Sequence, residues 1–273
     1  MMEGNGANKD DNKSLNSMLT DDPRFQYDGE MPKKPPAYSN WFQFAMYIVA
    51  ITAGLLQGYQ IGIIAGIELY LPEEYKGIKI QEDGSETTGD NVTTTKDREF
   101  FVSFYALGAA FGAFFGGQLC DSFGRRNMAI FGDIVIALGF VVVILTDAIK
   151  FGWIGRVVCG LGSGVQSFAI PLYLNEVGNP RWNKVVCAFF TLFTGVGMLS
   201  GLNLAIPYRH HWKALFEWGF IPVGLQILVM VFLPESQSYY INKGRMEDGL
   251  KVLKKGMDDD DAELELEKLK YEK

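Results

Sequence analysis

Histidine and cysteine are almost missing from this chain. Its two histidines, His210 and His211, are adjacent, and its three cysteines, Cys120, Cys159 and Cys187, have no metal-ligand spacing. A zinc centre and a disulfide framework are therefore excluded, and the cysteines read as small residues packed in or beside helices. A nucleophile–base pair and a phosphate-cradling loop are also lacking, so nothing points to an enzyme or a cofactor. Charge is absent over long distances. Trp41 to Ile67, Phe100 to Cys120 and Val185 to Tyr208 hold no Asp, Glu, Lys or Arg. Three further runs hold one charge each: Asn127 to Thr146 (Asp133), Phe151 to Asn175 (Arg156) and Ala214 to Pro234 (Glu217).

What is present follows from those gaps. A helix needs about 20 apolar residues to cross about 30 Å of hydrocarbon, and each of these runs reaches that length. The 273 residues therefore read as an all-α membrane protein of six transmembrane helices, with the lipid bilayer as its first partner. The mean hydropathy of only +0.06 reflects polar ends diluting an oily middle. Residues 1–40 are polar, carry Pro32, Pro35 and Pro36, and read as a disordered cytoplasmic arm rather than a signal peptide. Acidic and basic residues alternate there, so it is no nucleic-acid tail. Residues 41–234 read as the bundle and 235–273 as a cytoplasmic helical segment. In that segment Leu250 and Leu253, then Leu266 and Leu269, mark two short amphipathic helices in a solvated hairpin, the second with Asp258–Asp261 at its N-terminus.

The one long connection, about residues 72–98, is hydrophilic and reads as an extracellular loop. Its Asn91-Val92-Thr93 is a glycosylation acceptor on that reading, and Asn12-Lys13-Ser14 lies on the other side of the first span. Basic residues near the span ends number ten against seven in favour of an internal N-terminus.

Glycines recur every fourth residue: Gly54, Gly58, Gly62 and Gly66, then Gly108, Gly112 and Gly116, with Gly160 and Gly164, and Gly197 and Gly201. That spacing lets backbones approach closely, which is ordinary helix packing and also suits helices that rock against each other. Polar residues inside spans are expensive and therefore informative. Gln57, Gln60, Gln166, Thr191 and Asn203 are candidates to contact a neutral polyhydroxyl ligand, since amides both donate and accept. Interhelical hydrogen bonding accounts for any one of them equally well.

Five stretches resemble, in order and at family spacing, the sugar porter family of the major facilitator superfamily, and within it the facilitative glucose transporters. "GYQIGIIAG" (Gly58 to Gly66) is similar to the first-helix Gly-Tyr-Asp/Asn-x-Gly signature, and Gly117 to Arg126 to the charged loop between helices two and three. "GRVVCGLGSGVQSFAIPLYLNE" (Gly155 to Glu176) resembles the fourth-helix pattern. Trp212-Lys213 stands where the family has Trp-Arg, and "PESQSYYINKGR" (Pro234 to Arg245) looks like the Pro-Glu-Ser motif. The resemblance implies alternating-access transport of a sugar, a hexose by default, in the plasma membrane with both termini cytoplasmic. It also implies a cytoplasmic charge clasp of Asp121, Arg125, Arg126, Arg156, Glu176, Arg181 and Glu235.

Departures from the pattern carry their own expectations. Ser122 replaces an Arg, and Gln237-Ser238 replace Pro-Arg, which weakens the clasp on two counts. Thr191 falls where the family has a sugar-contacting Gln, and Gln57 where an aromatic is common, so substrate preference is expected to differ. Gln60 stands where proton-driven members carry Asp and cannot titrate, so transport is expected to be facilitative; Asp133 and Glu217 are the remaining proton-site candidates. The family has twelve spans and this sequence six. A half-length carrier pairing with a second six-helix half or with its own copy, or a fragment, fits that count. The alternative is a non-transporting sugar sensor of the same fold, against which the short tail weighs.

Overall fold

The computed structural model describes residues 40–70, 78–80, 86–88, 95–146, 149–179, 182–208 and 211–256, and 262, 263 and 266 beyond them. The polar arm up to residue 39, Asn91, Arg181, Asp258–Asp261 and Leu269 lie outside these residues. In chain order the helices are α1 (Asn40–Tyr70), α2 (Thr95–Phe123), α3 (Arg125–Leu145), α4 (Ile149–Val177), α5 (Asn183–Ala205), α6 (Trp212–Phe232), α7 (Gln237–Asn242) and α8 (Met246–Gly256). Between α1 and α2 an antiparallel ribbon pairs β1 (Ile78–Ile80) with β2 (Glu86–Thr88). Six helices, α1 to α6, are long and apolar enough to cross a membrane. In hydrocarbon every backbone N–H must be satisfied within the segment, and for an apolar run a helix does that. Exposed Trp41 and Trp182 sit at one end of the spans and exposed Trp153 and Trp218 toward the other, as interfacial tryptophans do.

The four-residue glycine spacing builds two tight seams. On α1, Gly54, Gly58 and Gly62 lie against Phe190, Thr194 and Met198 of α5; a Cβ on Gly58 would come within 2.7 Å of the Thr194 carbonyl carbon. On α2, Gly108 and Gly112 face Val157 and Leu161 of α4, and Gly160 and Gly164 face back toward Tyr105 and Ala109. Helices α1 with α5, and α2 with α4, are thus backbone-to-backbone pairs. Helix α3 lies on α4 and α6, and α6 also meets α1.

Two apolar layers fill the bundle. One gathers Met46, Val49, Ile170, Tyr173 and Met230 near the charged turn, and the other Leu56, Ile63, Phe140, Trp212 and Phe216 near the opposite end. The charged stretch Gly116 to Asn127 forms barely a loop. One residue, Gly124, separates α2 from α3, with φ +99°. That backbone conformation favours glycine, and the neighbouring charges lie on helix ends. The tail differs from a solvated hairpin. Helix α8 buries Val252 and Leu253, and Leu253 packs with Ile241, Ala262 and Leu266. The one-turn helix α7 has no amphipathic signature of its own.

Candidate functional site

The five polar candidates fall into two groups. Gln57 is half-buried on α1, and its Nε2 donates to Ser167 Oγ on α4 at 2.6 Å. Ser167 donates to the Ser163 carbonyl at 2.8 Å, and Tyr105 of α2 donates to Ser163 Oγ at 2.7 Å. A polar seam therefore runs across α1, α4 and α2. Pro171, inside α4, has no N–H to donate to the carbonyl of exposed Ser167. Thr191 and Asn203 are exposed on α5, and each bonds its own helix: Thr191 Oγ1 to Cys187 O at 3.2 Å, Asn203 Nδ2 to Leu199 O at 2.8 Å. Sequence reasoning passed over Ser163, Ser167 and Tyr105. Two serines four apart on the fourth span were the signal available.

Gln60 and Gln166 do not join that open face. Gln60 is 0% exposed, and neither its Nε2 nor its Oε1 has a partner among the described residues. Gln166 is buried and donates to Asp133 Oδ1 of α3. Asp133 is fully buried too, and its Oδ2 has no partner among the described residues. Helix α6 adds a third buried amide, Gln226, with both polar atoms unpartnered among the described residues. Arg126 touches Met230, and Phe140 meets Phe216 edge to face, an antiparallel register that puts Gln226 within about one helical turn of the level of Asp133. Glu217, by contrast, is exposed.

The charged residues form a joint between helix ends. Arg125 is buried; its guanidinium bonds Glu176 at 2.9 Å, Asp121 at 2.9 Å and the Cys120 carbonyl at 3.2 Å. Arg126 pairs with no carboxylate among the described residues. It donates to the last carbonyls of α6, Met230 O at 2.8 Å and Val231 O at 2.7 Å. Glu235 accepts the backbone N–H groups of Arg126 at 2.8 Å, Asn127 at 3.3 Å and Ser236 at 3.0 Å. A cation thus sits at a helix C-terminus and an anion at a helix N-terminus, each meeting orphan backbone groups of matching sign. Ser236 and Gln237 both bond Glu176, Gln237 through the backbone carbonyl. Gln237 therefore adds a link between α7 and α4, where the departure from the motif had suggested a loss.

Arg156 stands apart from this joint. It precedes Glu176 by 20 residues on α4, about 30 Å at 1.5 Å per residue. It is buried with its Cζ 4.4 Å from the Tyr105 ring centroid and 5.7 Å from that of Phe101, a cation–π arrangement. Its Nε and one terminal nitrogen have no partner among the described residues.

The family described as "Sugar (and other) transporter" matches residues 46–273. The chain belongs to this family. It is a family of transporters within the major facilitator superfamily, not of enzymes. Among the curated relatives of this chain, the arabinose-proton symporter of Escherichia coli K12 is 29% identical over 76% of this chain and 41% of its own length. "Probable inositol transporter 3" of Arabidopsis thaliana is 32% identical over 80% of this chain and 36% of its own. The chain therefore spans less than half the length of these relatives. The solved structure of the xylose transporter XylE from E. coli, in a partially occluded inward-open conformation, shares the fold with a TM-score of 0.70 at 19% identity. That match covers 84% of this chain and 59% of the other.

Proposed function

We propose that this chain supplies one of the two helical bundles of a sugar carrier that works by alternating access. The observation that carries the proposal is the polar seam that runs from exposed Ser167 and half-buried Gln57 inward to Tyr105 and buried Ser163, on a sugar porter fold that also exposes Thr191 and Asn203 on α5. A neutral sugar offers hydroxyls that can replace these hydrogen bonds one for one. A hexose is the default substrate, and the inositol and pentose carriers among its relatives make a polyol or pentose the next to try. The second wall is a second six-helix half or a copy of this chain, since the halves of such carriers are parallel repeats. We place both termini in the cytoplasm and the carrier in the plasma membrane, supported by the basic-residue bias. Glycosylation of Asn12 rather than Asn91 in a eukaryotic host would invert that orientation.

The test is flux. The purified chain in liposomes, with its oligomeric state counted by photobleaching, should pass labelled glucose, xylose or inositol only as an assembly of two bundles. Gln57→Ala with Ser167→Ala should lower that flux at least tenfold. Unchanged flux in the double variant would remove the seam from the pathway.

As for the driving force, Gln60 brings no titratable group to α1, which favours movement down the sugar gradient. A second reading, proton coupling, is favoured by the buried Asp133 and by relatives named as proton symporters. The exposed Glu217 is the weaker of the two acidic candidates. Uptake that accumulates sugar, collapses with a protonophore and is lost in Asp133→Asn would decide for coupling. Uptake that never exceeds the gradient would decide against it.

A further inference from the structure

One cavity lies away from the polar seam, at the charged end of the bundle, with a volume of about 380 Å³. Its walls come from the last turn of α6, the turn that follows, Tyr240 of α7 and the outer face of α8. Two features of that wall are at odds with a purely structural gap. The first is apolar surface turned outward: Phe232 is 80% exposed and Val231 is 50% exposed. They end a membrane span, so the surface they show is the one that acyl chains cover. The second is cationic: Arg126, Lys251 and Lys255 all border the same space.

The cavity also holds two carboxylates, Glu235 and Asp248, and both are engaged. Glu235 is buried, and both its oxygens accept backbone N–H groups at the α3 and α7 starts. Asp248 binds Arg245 at 2.7 Å and Lys251 at 3.2 Å, and Arg245 is not among the lining residues. The guanidinium of Arg126 donates to the carbonyls of Met230 and Val231, which bring no formal negative charge to the rim. Lys255 has no carboxylate partner among the described residues. Three cations against two carboxylates, one of which is shared with Arg245, leave the rim net positive. Lys251 and Lys255 are exposed and project from the last turns of α8.

We propose that this cavity holds the phosphate of an anionic phospholipid from the adjoining leaflet, with the ammonium groups of Lys251 and Lys255 on the phosphate and an acyl chain along Phe232. A soluble phosphate would use the cations and leave the exposed phenyl ring without a role. A zwitterionic lipid would bring a second positive charge to a rim that already carries a net one. A basic residue near an anionic membrane surface strengthens attraction about fivefold each. Occupancy would tie α8 to the end of α6, and so reports on the position of the tail rather than on sugar.

Native mass spectrometry of the full chain, delipidated and then titrated with phosphatidylglycerol or phosphatidylcholine, tests this without reference to transport. Phosphatidylglycerol is expected to bind at least tenfold more tightly than phosphatidylcholine. Lys251→Ala with Lys255→Ala should reduce its affinity about twentyfold, whereas arginine at both positions should preserve it. Both lysines are exposed, so a fold defect is not expected, and an unshifted melting temperature checks that. Phe232→Ser should weaken phosphatidylglycerol and leave glycerol phosphate unaffected. Equal binding of the two lipids, or unchanged binding in the double alanine variant, overturns the proposal. Full displacement by millimolar glycerol phosphate also overturns it, in favour of a soluble anion.

Discussion

Glu235 and Arg126 stand 109 positions apart, yet Glu235 Oε1 accepts the Arg126 backbone N–H at 2.8 Å. The carboxylate reaches the first turn of α3 because Gly124 opens a space beside it. A Cβ at Gly124 would lie 2.7 Å from the Glu235 carboxyl carbon, on a backbone with φ +99°. Gly124→Ala combines that clash with the intrinsic cost of an almost glycine-only conformation (φ +99°, ψ 152°), about 1–3 kcal/mol. Glu235→Ala strands three backbone N–H groups, the Ser236 one buried and those of Arg126 and Asn127 part-buried, at about 1–3 kcal/mol for the fully buried one and less for each of the others. Both variants should lower the melting temperature of the detergent-solubilised chain. Combined, they should fall short of the sum, because the clash disappears with the carboxylate. Full additivity would separate the two residues.

The same contact shows how far the sequence carries. Six spans follow from three charge-free runs and three that hold one charge each, and the family resemblance from five motifs. The direction of each charged side chain does not follow. Arg126 and Glu235 read as members of one charge clasp, but orphan N–H and C=O groups at helix ends compete for them, and no motif displays those groups. Gln60 and Gln166 read as ligand contacts because an amide in a span attracts notice. Which side of the helix faces the core was illegible, since α1 and α4 are apolar all round. Arg156 was grouped with the clasp by motif membership, though a count of residues along α4 already placed it at the other end.

Asp133 and Gln166 form a buried pair whose two members should be strongly coupled. Gln166→Leu leaves both Asp133 oxygens without a partner in an apolar layer. Leaving a buried acceptor unsatisfied in this way is expected to destabilise by about 1–3 kcal/mol. Replacing both with Leu removes the orphaned group and should recover most of that loss. Unfolding in mixed micelles, followed through the five tryptophans, would measure the cycle. Equal losses in the Gln166→Leu and double variants would show that the pair contributes nothing specific.

Outside the bundle, Asp248 gives α8 a pH dependence. Hydrogen bonds from Arg245 and Lys251, and then their charges, hold its carboxyl below the usual value of 3.8. The folded-state value is depressed, so the group contributes stability above its unfolded value. That contribution fades as pH falls through the folded value, below about pH 4. Hydrogen exchange of the α8 amides should therefore speed up below pH 4 relative to those of α4. Asp248→Asn should abolish that acid-dependent step and leave exchange at neutral pH slightly faster. A step that persists in the variant would assign the effect to another carboxylate.

Transport by the single chain is the harder question, and geometry decides it. Alternating access needs two walls that rock about a site between them, and the described bundle supplies one. Lipid against the open face is less costly than the polar composition suggests. Thr191 and Asn203 return their hydrogen bonds to their own helix, and Gln57 gives one to Ser167. Unpartnered amides in hydrocarbon would cost about 1–3 kcal/mol each, and these three are not unpartnered. A lone bundle can therefore persist in a membrane without being a carrier. Monomeric chain in liposomes is expected to pass no sugar above the empty-vesicle leak, while remaining folded by circular dichroism. A cross-linked pair of copies, joined by cysteines placed on the exposed faces of α2 and α5, should regain flux if a second copy forms the other wall. Flux from protein shown by photobleaching to be monomeric would sink the two-wall requirement. Silence from the cross-linked pair, with flux restored by a separate six-helix partner, would assign the second wall to a different chain.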